Sequence, residues 1–157
     1  MAGDVTLRDA TAGDAARVAQ VWESAWRDGH VGHIPDELLV HRTTRSFVDR
    51  TPAMLDRTVV AELGGQVVGF VTLSGDELEQ LFVDASARGT GVASLLLAEG
   101  ARRLRAAGAT PWLAVVTGNA RARRFYEREG WRDAGPFSYE APIDGGTIPV
   151  ECHRYEL

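Results

Sequence analysis

The run Arg88-Gly89-Thr90-Gly91-Val92-Ala93-Ser94 combines the residue types with which a chain holds an anion. Its glycines let the backbone approach a ligand closely. They stand between an apolar run ending at Val83 and a leucine-rich stretch opening at Leu95. If that stretch is a helix, its first N–H groups lack intrahelical partners and its dipole puts positive charge behind them. Arg88 adds a formal charge, and Thr90 and Ser94 add hydroxyl donors. The chemistry is capture of a phosphate or pyrophosphate, mostly by main chain. The spacing is neither G-x-x-x-x-G-K-[ST] nor G-x-G-x-x-G after a first strand, which disfavours a nucleoside triphosphatase and a dinucleotide fold. Taken alone, the segment also fits a glycine-rich turn that binds nothing.

Other residues invite a chemical reading and a plainer one. Glu77 and Glu79 fall on one face of the strand that precedes the turn, if no bulge intervenes. A carboxylate in a partly apolar cleft has a raised pKa, which suits a general base; two solvated carboxylates at a strand end fit equally. Asn119 stands where a helix begins and reads as an N-cap. Phe125-Tyr126 reads, by periodicity, as the apolar face of that helix. Cys152 has no visible activating partner and reads as a buried small hydrophobe. His30, His33 and His41 cluster between Asp28 and Arg42, but no cysteine or third ligand is suitably spaced, so no metal site is expected.

The elements that must position these residues follow from the hydrophobic periods. Val5 to Arg8 alternates as a first strand. Thr11 or Asp14 caps a helix whose stripe is Val18, Val21, Trp22, Ala25 and Trp26, ended by Gly29. Pro35 suits the first turn of a second helix carrying Leu38, Leu39 and Phe47. Thr58 to Glu62, Gln66 to Leu73 and Leu78 to Val83 form a meander with turns at Gly64-Gly65 and Ser74-Gly75-Asp76. A long helix closed by Gly108 follows, then a buried strand Trp112 to Val116 and a helix Asn119 to Glu129 closed by Gly130. Two last strands, Trp131 to Tyr139 and Pro149 to Tyr155, flank a loop-like connector from Ala141 to Gly146. The order β-α-α-β-β-β-α-β-α-β-β describes one α/β (α+β) domain over residues 1–157, with a mixed, mostly antiparallel sheet of about seven strands and about four helices.

Composition narrows the setting. The chain has 157 residues, 45% hydrophobic and 25% charged, which is ordinary for a soluble domain able to bury its own core. The net charge of -5 argues against nucleic acid and an anionic membrane as partners and is compatible with a cationic amine. No run approaches a membrane span, the N-terminus lacks the apolar core of a signal peptide, and Cys152 has no cysteine to pair with; a cytoplasmic location is expected.

Two motifs together carry a resemblance. Arg88-x-x-Gly91-x-Ala93, led in by Leu81-Phe82-Val83-Asp84, resembles the R/Q-x-x-G-x-G/A turn of the GNAT acyltransferase superfamily. Asn119-x-x-Ala122-x-x-Phe125-Tyr126-Glu127-x-x-Gly130-Trp131 resembles that family's N-x-x-A-x-x-F-Y-E-x-x-G-F pattern. The match is strongest from Leu78 to Trp131. A proline often found near Ala85 is absent, and Trp131 replaces a common phenylalanine.

The resemblance implies an acetyl-CoA-dependent N-acetyltransferase without a metal. The pantetheine arm would pair with the backbone of Leu81, Phe82 and Val83, between strands splayed apart. The pyrophosphate would sit on Arg88, Gly89, Thr90, Gly91, Val92, Ala93 and Ser94. Asn119 would bond the arm, and Tyr126 would lie near the sulfur as proton donor to the departing thiolate. Glu77, Glu79 or an ordered water would take the amine proton. Trp26, His30, His33 and Ile34, in the segment that usually shapes the acceptor pocket, would line it. Arg121 or Arg124 would meet the 3′-phosphate. The acceptor would be a small-molecule or peptide amine, and a homodimer is a common assembly in the family. A non-catalytic acyl-CoA-binding module, or transfer with another acyl donor or acceptor, remain the alternatives.

Overall fold

In the computed structural model, which describes residues 4–157, seven strands form one sheet in the order β1-β2-β3-β4-β5-β7-β6. They are β1 (Val5–Asp9), β2 (Thr58–Leu63), β3 (Gln66–Ser74), β4 (Glu77–Val83), β5 (Trp112–Val116), β6 (Arg132–Ile143) and β7 (Gly146–Glu156). The helices are α1 (Ala15–His30), α2 (Asp36–Leu39), α3 (Thr44–Arg50), α4 (Val92–Ala106) and α5 (Ala120–Arg128). The reading of the N-terminus as no signal peptide rests in part on residues 1–3, which lie outside the described residues. Among the described residues no helix is long and apolar enough to cross a membrane.

Both faces of the sheet are covered, and each has its own core. On one face Val18, Val21 and Trp22 of α1 and Phe47 of α3 pack on Val60 and Phe70. On the other, Leu96, Leu97 and Leu104 of α4 pack with Tyr126 of α5 on Val59, Val71 and Tyr155. Each fully buried side chain of this size contributes roughly 1.5–3 kcal/mol by leaving water. Gly100 lets α4 lie close to the sheet: a Cβ there would come 3.0 Å from Leu78 and 3.2 Å from Val71. That close approach sets the N-terminus of α4 beyond the end of β4.

Three local expectations give way to physical detail. Gly29 does not end the first helix, which runs to His30. Gly29 answers a packing need instead, since a Cβ there would stand 2.8 Å from the Asn119 amide nitrogen, and the left-handed residue is Gly32. The second predicted helix is two: Pro35 precedes the single turn α2, and Thr43 caps α3 by accepting a hydrogen bond from the Ser46 N–H. The connector predicted from Ala141 to Gly146 is mostly strand. Pairing continues to Ile143–Gly146, and Asp144 and Gly145 alone make the turn. The alternation of buried and open positions along β6 tolerates Pro136 and Pro142 because this strand is at the sheet edge.

Candidate functional site

The sheet is antiparallel everywhere except between β4 and β5, and there it opens. The two strands meet at one bridge, Glu77 opposite Trp112. The Trp112 N–H reaches the Asp76 carbonyl at 3.3 Å, and its indole N–H reaches the Asp76 carboxylate at 2.9 Å. Beyond this point β5 pairs with β7 from Trp112–Glu156 to Val116–Cys152, while β4 keeps pairing with β3 as far as Gly69–Val83. Each strand is held by its other neighbour, so the gap between them stays open. Unpaired strand edges normally lie at the rim of a sheet; here two face each other in its middle. The exposure of β4 follows: Leu78 is buried, whereas Leu81, Phe82 and Val83 are half-exposed despite being apolar.

A cavity of about 510 Å³ occupies the gap and touches both cores, with Trp26 and Phe82 on one side and Leu113 and Tyr126 on the other. At the Val83 end the chain makes a short turn over Ala85–Ala87, then passes Gly89 and Gly91 at φ 78° and 86°. Both angles are left-handed, which glycine adopts without a Cβ clash. Gly91 is the N-cap of α4, and the first helical bond is Leu95 N–H to Gly91 C=O at 3.1 Å. The N–H groups of Val92, Ala93 and Ser94 therefore precede the helical ladder. Arg88 is paired with Asp28 at 2.7 Å, both side chains exposed, an interaction of about 0–1 kcal/mol that a stronger anion can displace. The Thr90 hydroxyl donates to the Ala87 carbonyl, so its proton is committed within the turn rather than offered to a ligand.

Across the gap, Asn119 caps α5, its side-chain oxygen accepting from the Ala122 N–H at 3.2 Å. Its amide nitrogen abuts Gly29 and its side chain lines the cavity. Tyr126 lines the same wall, its ring packed against Trp131 and Tyr155 at 6.4 and 6.1 Å. Gly130, at φ 91°, ends α5 and turns the chain so that the Trp131 N–H bonds the Tyr126 carbonyl at 3.0 Å. Burial pushes the Tyr126 phenol well above its ordinary pKa, so it stays protonated at neutral pH.

Glu77 and Glu79 both line the cavity, but not by simple alternation. Thr72 pairs with Gln80 and Leu73 with Leu78, so Glu79 is the extra residue of a bulge. Glu79 is tied to Arg57 at 3.2 Å. Glu77 accepts a hydrogen bond from the Tyr139 hydroxyl at 2.7 Å. Burial raises the Glu77 carboxyl above its ordinary value, partly offset by that hydrogen bond.

The segment from Trp26 forms the remaining wall. The His30 ring stacks on Trp26 with centroids 4.7 Å apart, and its Nδ1 lies 2.8 Å from the Trp26 carbonyl, which makes Nδ1 the protonated nitrogen. Burial pushes His30 down to about 4, so the ring is neutral near pH 7. Trp26, His30 and Ile34 line the cavity; His33 is exposed beside it, its ring against Gly118. Cys152 is buried and its thiol is pushed up to about 12 by burial, which leaves little nucleophilic thiolate. Arg121 and Arg124 are exposed on α5. Among the described residues no group of three or more His, Cys, Asp or Glu side chains is placed to hold a metal ion.

Sequence reasoning passed over Arg42, Arg50, Arg57 and Tyr139, all of which line the cavity. No local signal marks them. Their neighbours in the site, Glu77 and Glu79, lie far away in the chain.

Comparison with known proteins bears on this geometry. A model of the acetyltransferase (GNAT) family matches residues 18–131. Among solved structures, apo-form YjaB from Escherichia coli is similar at TM-score 0.73 and 20% identity, over 98% of this chain and 97% of that one. A GCN5-related N-acetyltransferase from Rhodopseudomonas palustris is similar at TM-score 0.72 and 22% identity, over 100% of this chain and 98% of that one. The yncA protein from Salmonella typhimurium, solved with acetyl-CoA, is similar at TM-score 0.70 and 18% identity, over 99% and 94%. No curated protein matches the chain. The structural likenesses establish the fold. The family match runs from α1 through the end of α5 and takes in the gap, the glycine turn and Tyr126, so the chain belongs to the acetyltransferase (GNAT) family, whose members transfer acetyl groups.

Proposed function

We propose that this chain is a cytoplasmic N-acetyltransferase that passes the acetyl group of acetyl-CoA directly to a primary amine while both substrates are bound. The observation that carries the reading is the gap between β4 and β5, which has Tyr126 on its wall and beside which β4 runs on in the chain toward the glycine turn.

The residues fit that donor. An extended, amide-bearing pantetheine arm can add to the open edge of β4 at Leu81 to Val83 as a further strand would, with affinity drawn from main-chain hydrogen bonds. The N–H groups of Gly89 to Ser94 suit the pyrophosphate, with the α4 dipole behind them. The Asn119 amide, with its oxygen engaged in the cap, has its nitrogen left to donate. When bound, acetyl-CoA supplies an activated acyl carbon and a thiolate leaving group.

The chain's own groups then manage protons and position. Glu77, uncharged more readily than an exposed glutamate, takes a proton from the acceptor ammonium, directly or through water. The freed amine nitrogen bonds to the acetyl carbon as the carbon–sulfur bond breaks. Tyr126 gives its proton to the thiolate and regains one from the nitrogen, so an ammonium and acetyl-CoA become an amide, free CoA and one proton released through Glu77. Placement of two substrates in one cavity supplies much of the rate. Trp26, His30 and Ile34 hold the acceptor.

The test is thiol-release turnover with acetyl-CoA against a broad amine panel. Amine-dependent thiol release is expected. Binding of acetyl-CoA without turnover on any amine would instead favour a regulatory module, and absence of binding would overturn the reading.

A further inference from the structure

We propose that the acceptor is a small amine carrying its own oxyanion, of which a free α-amino acid is the simplest case, with Arg42 and Arg50 holding the anion while Glu77 faces the amine. This deepens, and rests on, the acetyltransfer reading.

Three guanidinium groups and two carboxylates line the cavity: Arg42, Arg50, Arg57, Glu77 and Glu79. Arg57 and Glu79 pair with one another. That leaves two cations against Glu77, within a chain whose net charge is -5. Arg42 is only 5% exposed, and its recorded side-chain bond runs to a neutral group, the Pro142 carbonyl, at 2.6 Å. A guanidinium has five N–H donors, so most of this one's capacity is unspent. Arg50 stands 4.7 Å over the Trp22 ring and makes no hydrogen bond or ion pair among the described residues. Burial pushes the Arg50 guanidinium below its ordinary value, partly offset by Glu79 and Asp144, neither of which forms an ion pair with it. Burial and the neighbouring Arg50 push Arg42 down to about 10, still charged near pH 7. His30, neutral as described above, adds no further positive charge.

A buried cation without an anionic partner is costly unless something neutralises it. A carboxylate or phosphonate bound between Arg42 and Arg50 does so through charge-assisted hydrogen bonds of the planar, paired kind that guanidinium favours. The same cavity carries Glu77 and Glu79, which suit an ammonium. One cavity thus presents a cationic and an anionic subsite, the pattern complementary to a zwitterion. Because both subsites belong to a single 510 Å³ space, the ligand is compact.

The experiment compares kcat/KM for free α-amino acids with their carboxamides and with the decarboxylated amines, at fixed acetyl-CoA. The free acids are expected to exceed both by about tenfold or more, since loss of a charged hydrogen-bond partner has that size. In Arg50→Gln that preference falls about tenfold. Arg50→Lys retains part of it, and Arg45→Ala, on the exposed side of α3, keeps it. Thermal unfolding and acetyl-CoA binding show whether each variant is folded, and the wild-type comparison stands without any variant. Equal or better turnover of the carboxamides or decarboxylated amines overturns the inference while leaving acetyltransfer intact; a preference untouched in folded Arg50→Gln overturns the assignment to Arg50. No turnover on any amine defeats the acetyltransfer reading itself.

Discussion

The stretch from Leu81 to Ser94, which leaves the cavity after Phe82 and runs on through the glycine turn, offers main chain, whereas the cavity wall around Arg42, Arg50, Glu77 and Tyr139 is made of side chains. The first uses strand edges, positive-φ glycines and a helix N-terminus. Such groups sit in fixed places once the sheet and α4 have packed, and their partial charges cannot be titrated. The second uses ionisable groups brought in from α3 and the segment before it, from β4 and from the β6–β7 hairpin. The contrast separates two tasks. On the proposed reading, a constant, chemically uniform donor is held by geometry, and a particular acceptor is chosen by charge. Tyr126 stands between them, buried enough to keep its proton and yet on the cavity wall.

If that division holds, substitutions on the two walls leave different signatures. The largest effect belongs to Tyr126, between the walls: Tyr126→Phe should lower kcat by about 10²- to 10⁴-fold, the usual range for loss of a positioned acid, while acetyl-CoA affinity in a binding titration stays near wild type. Unchanged turnover would remove the phenol from the chemistry. On the main-chain wall, Gly91→Val forces a β-branched residue to φ 86° at about 1–3 kcal/mol of strain. KM for acetyl-CoA should rise about tenfold with little change in KM for the acceptor, and Tm should fall by a few degrees.

On the side-chain wall, the Tyr139 hydrogen bond favours the ionised form of Glu77 while burial opposes it. A base works only when deprotonated, so the acid limb of kcat/KM lies above that of an ordinary glutamate and activity is gained as pH rises through it. Tyr139→Phe should move this limb to still higher pH, so the variant is slower than wild type at low pH and rejoins it at high pH. Gly91→Val should leave the limb where it is; a shift in both variants would blur the two walls. The smallest effect belongs to Asn119. Aspartate caps a helix as well as asparagine, so Asn119→Asp should keep Tm while replacing the amide nitrogen. A rise of a few-fold in KM for acetyl-CoA assigns that nitrogen to the donor; an unchanged KM leaves Asn119 as a cap alone.

How much of this was legible in the sequence follows the same division. The meander, the α4 turn and the α5 motif are local patterns, and the succession of seven strands along the chain that they implied is the one observed. Glycines at 89 and 91 mark left-handed backbone because few other residues tolerate it. Gly29 misled for the opposite reason: its spacing fits a helix stop, but its purpose is contact with Asn119, a residue on another element. The bulge at Glu79 depends on the register with β3 and leaves no mark in β4 itself. The gap depends on which neighbour each of β4 and β5 pairs with, a property of the whole sheet. Arg42, Arg50 and Tyr139 look like surface residues in a one-dimensional pattern, and only the folded chain turns them inward.

The most direct test of the main-chain wall is amide hydrogen exchange with and without acetyl-CoA. Binding should slow exchange over residues 79–94 and at the start of α5, and leave the β6–β7 turn at Asp144 and Gly145 unchanged. Exchange unaltered at β4 and the glycine turn, with protection confined to the arginine-bearing wall, would contradict the assignment of the donor to that gap.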